Sequence, residues 1–312
     1  MKSKLRDLSE LIKKPLREAY KLLIYCMGRN GLGLGGSSPS CVGNWIWIKK
    51  LEDFITSNIK PEFLIHKGKI IYLDKADSYK FSYHGFDKEP DQKIIYEKYI
   101  KEGDVVIDVG AFIGDNTIDF ADYVGKTGKV YAFELAKDNY DLLVKNIKAN
   151  GYENTICYNK GVADKKGKVK CFLNPVNSMG NKMHKEGNID KYIDSWEEVD
   201  VESVALDDVI KCKVDFIKID VEGSEPLVIN GAMKILRENP NLKIMLEFRL
   251  VTIPSFGYTP KKYLEMFADL GFRMYIAEES SKKDTEIKDI NKFLEEVEKD
   301  VIINLFMIKG EK

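Results

Sequence analysis

The stretch VVIDVGAFIGDNTIDFA, residues 105–121, decides the fold. Its first five residues are an apolar run interrupted only by Asp108, which reads as a short buried strand. Gly110 and Gly114 come next, where a chain can turn tightly and let its backbone approach a neighbour. A helical pattern then opens near Asp115 or Asn116. A strand that passes through glycines into a helix brings amide groups and a helix N-terminus to one point, as nucleotide-binding α/β proteins require.

Working outward, the same alternation continues to the end of the chain. KVYAFEL (129–135) reads as a second strand and AKDNYDLLVKNIKANG (136–151) as a helix closing at Gly151, where left-handed geometry suits glycine. ENTICYNKGVA (153–163) and KVKCFLN (168–174) are β-like. VDFIKIDVEG (214–223) is another buried strand, and EPLVINGAMKILREN (225–239) is a helix stopped before Pro240. LKIMLEFR (242–249), a helix over 259–271, FRMYIAEE (272–279) and a final strand VIINLFMIKG (301–310) complete the series. Apolar strands alternating with helices predict a mostly parallel, doubly wound sheet, with the ligand at the carboxyl ends of the strands.

The first ninety residues differ. A basic segment with helical spacing over about 5–27 leads into a Gly/Ser/Pro-rich linker at 28–43, a second amphipathic segment NWIWIKKLEDFITSNI, and β-like runs EFLIHKGKIIYL and YKFSYH with Gly68 at a turn. The expected organisation is an N-terminal extension over 1–90 and a catalytic domain over 91–312. The apolar run 22–27 is far too short to span a bilayer. The N-terminal helix either packs on the protein or lies on a membrane surface. The linker contains a literal G-x-G-x-x-G in Gly31, Gly33 and Gly36, but a helical pattern precedes it and Pro39 and Gly43 oppose a helix after it. It lacks the strand and helix that the fingerprint needs, and reads as a hinge.

Composition narrows the function. With 44% hydrophobic and 32% charged residues the chain is globular, and a formal net charge of -1 gives no global field toward nucleic acid or anionic lipid. Five scattered cysteines without a C-x-x-C, and three histidines, disfavour disulfide scaffolding and a zinc centre. A reducing, cytoplasmic setting is expected.

Two constellations carry chemistry. In the first, Glu134 stands 20 residues after Gly114 at the end of the next strand, where a carboxylate can accept from both ribose hydroxyls. Asp108 before the glycines suits a cationic ligand with an amino-acid tail and would repel a phosphate. That points to S-adenosylmethionine (SAM) rather than NAD. The candidate cofactor-binding set is Asp108, Gly110, Ala111, Gly114, Asn116, Glu134, Leu135, Val162 and Asp220. In the second, Lys218, Asp220, Glu222 and Glu225 lie in and after a buried strand, and Glu247 ends the next one. Strand alternation sets Lys218, Asp220 and Glu222 on one side, and a parallel sheet places Asp220 and Glu247 at neighbouring strand ends facing one crevice. An acid-rich strand end beside a cleft is costly unless its charges are paired or used.

These stretches, with VALDDVI (204–210) and above all VDFIKIDVEGSEPLVINGA (214–232), resemble the FkbM family of SAM-dependent methyltransferases over roughly half the chain. The resemblance implies a Rossmann-like class I methyltransferase: an α/β fold with a seven-stranded, mostly parallel sheet whose last strand is antiparallel. It also implies transfer to a hydroxyl oxygen, often of a sugar or a natural product. One departure is Leu135, where the family usually has proline after the acid. Asp220-Val221-Glu222-Gly223 stands where methyltransferases of planar amines commonly carry an N-P-P-Y-like motif, which disfavours base nitrogens.

An alcohol loses its proton during or just after attack, so a base is expected: Asp220 first, Glu247 second, with Glu222 and Glu225 as further candidates. Asp220 and Glu247 alternatively hold Mg²⁺. His184, in the insertion before VALDDVI, is a further candidate base, while Met179, Met183, Trp45 and Trp47 line an apolar pocket or simply pack. The expected acceptor is a small molecule or glycan, with no nucleic acid partner. RNA or protein methylation, and a dinucleotide-dependent oxidoreductase on a related sheet, are the alternatives.

Overall fold

The computed structural model describes residues 62–73, 90–173, 181, 183, 197–277, 285–298 and 301–310. The N-terminal helix, the glycine linker with Gly31, Gly33 and Gly36, Trp45, Trp47, YKFSYH, Met179 and His184 all lie outside these residues. By its contacts the chain divides into the units Met1–Lys88 and Glu89–Lys312. In the first, β1 (Phe63–His66) and β2 (Lys69–Tyr72) form an antiparallel hairpin. Its turn residues Lys67 and Gly68 both have positive φ, as a tight two-residue hairpin requires.

The second unit opens with α1 (Pro90–Tyr99) and then runs β3 (Val105–Val109), α2 (Asp115–Val124), β4 (Lys129–Phe133), α3 (Lys137–Ala149) and β5 (Thr155–Tyr158). After β6 (Gly161–Val162), β7 (Gly167–Leu173), β8 (Glu197–Val204) and α4 (Leu206–Val209) come β9 (Phe216–Ile219), α5 (Glu225–Asn230), α6 (Met233–Glu238) and β10 (Lys243–Arg249). The chain continues through α7 (Pro260–Asp269), β11 (Phe272–Ile276), β12 (Thr285–Glu286), α8 (Ile290–Glu296) and β13 (Ile302–Lys309).

The main sheet has the order β12-β11-β13-β10-β9-β3-β4-β5. Its seven expected strands are present, with the two-residue β12 added at one edge. β9, β10, β3, β4 and β5 pair in parallel, and β13 runs antiparallel between β10 and β11. Successive residues of the central strands supply two cores. Ile107, Ile217, Ile219, Leu246 and Met307 belong to one, with Val228, Leu236, Leu264 and Phe267 of the helices. Val106, Phe216, Met245 and Phe306 belong to the other, with Tyr96, Phe120 and Val124. The strand order turns back at β3, between β4 and β9, so the loops leaving β3, β4 and β9 share one end of the sheet.

Three details depart from the sequence reading. The insertion before VALDDVI contains an unexpected strand, β8, which joins β6 and β7 in a separate three-stranded sheet of order β6-β8-β7. The helix read over 225–239 is two, α5 and α6, parted at Gly231. A Cβ there would lie 2.0 Å from the carbonyl oxygen of Ala163, so the close approach of two backbones breaks the helix. Alternation also stops at Asp220: Glu222 and Gly223 have φ of 53° and 96°, so Glu222 sits in a turn rather than on the strand face of Lys218.

Candidate active site

The turn after β3 is built on its neighbours. Gly110 and Ala111 both donate from their amides to the carbonyl of Phe133 at 3.0 Å. Gly110 has φ +83°, and a Cβ on it would meet the carbonyl oxygen of Asp220 at 1.8 Å. Gly114, at the N-cap of α2, leaves room for the Leu143 side chain of α3. The close approach expected at these glycines is thus to the protein itself. Phe112 between them is left-handed, with φ 51°, and its amide donates to Glu134 Oε2 at 2.9 Å.

Glu134 organises the end of β4. Oε1 accepts from the Ala136 amide at 2.9 Å and Asn139 Nδ2 at 3.5 Å, while Asn159 Nδ2 donates to the main-chain oxygens of Glu134 and Leu135. Burial pushes its carboxyl up to about 7, against the opposing effect of the Ala136 and Phe112 amides. Asp108 lies beneath, fully buried, accepting from Thr117 Oγ1 at 2.6 Å, with Lys218 Nζ at 3.9 Å. Burial raises it to about 6, while Lys218 and Thr117 pull it down.

Lys218 is itself buried and reaches Asp220 at 3.0 Å, so one ammonium holds two aspartates. Asp220 donates its amide to Val109 and keeps its side chain 31% exposed. Beyond it, Glu225 Oε1 accepts from the amides of Gly223 (3.0 Å) and Val221 (3.4 Å), closing the turn. Glu225 is 2% exposed and raised to about 7 by burial. Glu222 turns to Arg249, Oε2 to Nη2 at 3.0 Å. The register pairs Ile219 with Leu246, which sets Asp220 and Glu247 at adjacent strand ends. Glu247 is half-buried, its Oε2 is shielded from solvent without a hydrogen-bond partner, and desolvation together with Asp220, Glu222 and Glu225 holds its carboxyl well above the usual range.

These loops surround a cleft of about 430 Å³ including its open mouth. Gly110, Phe112, Glu134 and Leu135 line one part, and Asp220, Val221 and Glu222 another; Asn139 and Asn181 complete it. Of the expected residues, Asp108, Ala111, Gly114, Asn116, Val162, Glu225 and Glu247 are not in this lining. Asp108 and Ala111 are buried, Gly114 and Asn116 start α2, Val162 belongs to the core behind β6, and Glu225 holds the turn. Phe112, Asn139, Asn181 and Val221 escaped the sequence reading. Phe112 and Asn139 flank recognisable motifs, whereas Asn181 lies in a stretch without one.

The lining carries three carboxylates and, among the described residues, no lysine or arginine. Such a surface favours a cationic ligand and repels a pyrophosphate. Apolar Phe112, Leu135 and Val221 beside polar Glu134, Asn139 and Asp220 fit a sulfonium nucleoside. Mg²⁺ fits less well. Asp220 is already engaged by Lys218, and among the described residues no group of three or more His, Cys, Asp or Glu side chains is arranged to hold a metal ion. No helix among the described residues is long and apolar enough to cross a membrane.

A family model described as the methyltransferase FkbM domain matches residues 108–274, more than half the chain. The fold is that of a Rossmann-like class I methyltransferase, and the chain belongs to the FkbM methyltransferase family. Among solved structures it is similar to the methyltransferase FkbM from Methylobacillus flagellatus KT, at 15% identity over 66% of this chain and 43% of that one, TM-score 0.40. This chain thus spans less than half the length of that relative. It is also similar to a SAM-dependent O-methyltransferase from Thermotoga maritima, at 15% identity over 80% of this chain and 78% of that one, TM-score 0.40. A third is fibrillarin from Aeropyrum pernix with natively bound SAM, at 15% identity over 67% and 68%, TM-score 0.35.

Proposed function

We propose that the chain transfers a methyl group from SAM to a hydroxyl oxygen of a small molecule or glycan. The observation that carries this reading is the carboxylate-lined cleft at the ends of β3, β4 and β9, with Asp220 partly exposed on one side and Glu134 anchored on the other. When bound there, SAM supplies an electrophilic methyl group for in-line attack. Glu134 retains acceptor capacity beyond its three protein donors and takes the ribose hydroxyls. Asp220 accepts the proton of the attacking hydroxyl, and Lys218 fixes its carboxylate toward the cleft. Glu247, on the neighbouring strand β10, is the second candidate for that role. Glu225 serves as a positioning residue, because its acceptor oxygen closes the Val221–Gly223 turn.

Two measurements test this. Calorimetric titration with SAM, S-adenosylhomocysteine (SAH) and NAD should give binding of the first two only; binding of NAD instead would sink the reading. With labelled SAM and fractionated cell extract, Asp220→Ala should lower labelling at least 100-fold while leaving SAM bound. Unchanged labelling would remove Asp220 from the chemistry. Label appearing in RNA or protein rather than in small molecules or glycans would shift the acceptor class.

A further inference from the structure

β13 is apolar from Ile302 to Ile308 except at Asn304. The register pairs Asn304 with Glu247 of β10, and Glu247 stands beside Asp220, because Ile219 pairs with Leu246. Asp220, Glu247 and Asn304 therefore form one row across three adjacent strand ends. Alternation along the strands fixes the face of that row. Met245 and Phe306, two residues away along β10 and β13, belong to the core that contains Phe216. Glu247 and Asn304 thus share the side of the sheet on which Lys218 meets Asp220. Both are half-buried, while Ile302, next on that face of β13, is 44% exposed. Polar side chains set in an apolar face are costly unless they bond. Among the described residues the Asn304 carboxamide has no hydrogen-bond partner, and neither has Glu247 Oε2.

The row has a use that rests on the reading above, in which Asp220 takes the proton of the attacking hydroxyl. We propose that Asn304 and Glu247 hold a second hydroxyl of the acceptor, on the carbon next to the methylated one, so that the substrate is a vicinal diol. Asn304 Nδ2 donates to the oxygen of that hydroxyl, and a Glu247 oxygen accepts from it. A hydroxyl is donor and acceptor at once, and the pair supplies both complements. Neighbouring strands lie about 5 Å apart, so Asp220 and Glu247 reach two hydroxyls on adjacent carbons together. Ile302 offers apolar surface to the carbon skeleton at the open end of the row. An acceptor gripped at two points meets the methyl group in one orientation, which distinguishes one of its hydroxyls from the other. Asn304 is thus an acceptor-binding residue that takes no part in proton transfer.

Periodate cleaves the carbon–carbon bond of a vicinal diol and spares isolated hydroxyls, which supplies the test. A cell-extract fraction that the wild-type chain labels from labelled SAM is oxidised with periodate, reduced with borohydride and offered again, beside a borohydride-only control. The oxidised fraction should no longer be labelled, and the control should be. With untreated fraction, Asn304→Leu, similar in size but without a donor, should raise the amount needed for half-maximal labelling roughly ten-fold, the worth of one hydrogen bond. Its maximal rate should change less than that, and its SAH affinity by calorimetry should stay within about two-fold of the wild type. Asn304→Ala removes the same donor and replaces Asn304→Leu should thermal unfolding show that variant misfolded. Labelling that survives periodate, or a half-saturation that the variant does not move, overturns the inference and leaves methyl transfer standing. A wild-type chain that labels no fraction overturns both.

Discussion

Gly110 joins two strand ends through a contact that no other residue allows. Its φ of +83° is left-handed, and an added Cβ would overlap the Asp220 carbonyl at 1.8 Å. Gly151 has a similar φ of +74° with nothing within 4 Å of an added Cβ. The pair separates backbone strain from collision. Gly151→Ala should cost about 1 kcal/mol, the left-handed penalty alone, whereas Gly110→Ala should cost roughly 3 kcal/mol or more. Urea unfolding of both variants checks this, and equal losses would mean that the Asp220 contact is not needed. Phe112 and Glu222 are also left-handed without being glycine, and both line the cleft. Strain of this kind persists where surrounding bonds over-determine it; here the Glu134 carboxylate fixes Phe112 and Arg249 holds Glu222.

At the level of elements, Gly231 shows how a contact from far along the chain overrides a local pattern. The apolar spacing from Glu225 to Asn239 is helical throughout, and a mid-helix glycine alone is a weak break signal. The break arises because Ala163 and Ala205 press against that glycine, and Asp207 donates its amide to the Gly231 carbonyl. Gly231→Ala should raise local helix propensity by up to about 1 kcal/mol yet destabilise the protein by roughly 2–4 kcal/mol, since the Cβ would meet the Ala163 oxygen. A chemical-denaturation midpoint that rises in this variant would refute the contact account. β8 was hidden for a different reason. Its sequence EEVDVESV alternates, but its outward residues are acidic and meet lysines on or beside the neighbouring strands: Lys170 of β7 pairs with Glu198, and Lys160, just before β6, with Glu202. Such charge complementarity is invisible until the two strands are known to be neighbours. The main strands were legible because both their faces are apolar, as at Val106 with Ile107 and Phe216 with Ile217.

For the whole molecule, the buried acids beneath and around the cleft set how stability responds to pH. The sequence indicated acids at strand ends; that Glu225 closes a turn, or that Asp108 hides below the cleft, depended on turn geometry and burial that only the assembled sheet supplies. In the folded state burial raises Asp108 to about 6 and both Glu134 and Glu225 to about 7, and holds Glu247 well above its ordinary value. Each folded value exceeds the unfolded one, about 4, so the native protein binds these protons more tightly. The stabilisation is fully present below about pH 4 and is lost as pH rises through 6 to 7. Stability should therefore fall between about pH 4.5 and 7.5, with Asp108, Glu134 and Glu225 each contributing on the order of 1–3 kcal/mol. Glu225→Gln isolates one share, because the amide oxygen still accepts from Gly223 without an ionisation to suppress. The variant should match or exceed the wild type at pH 8, fall slightly below it at pH 5, and show a shallower slope. Urea midpoints measured across this range decide it. A wild-type midpoint that climbs toward pH 7.5 would show that paired acids, such as Glu202 with Lys160, outweigh the buried ones.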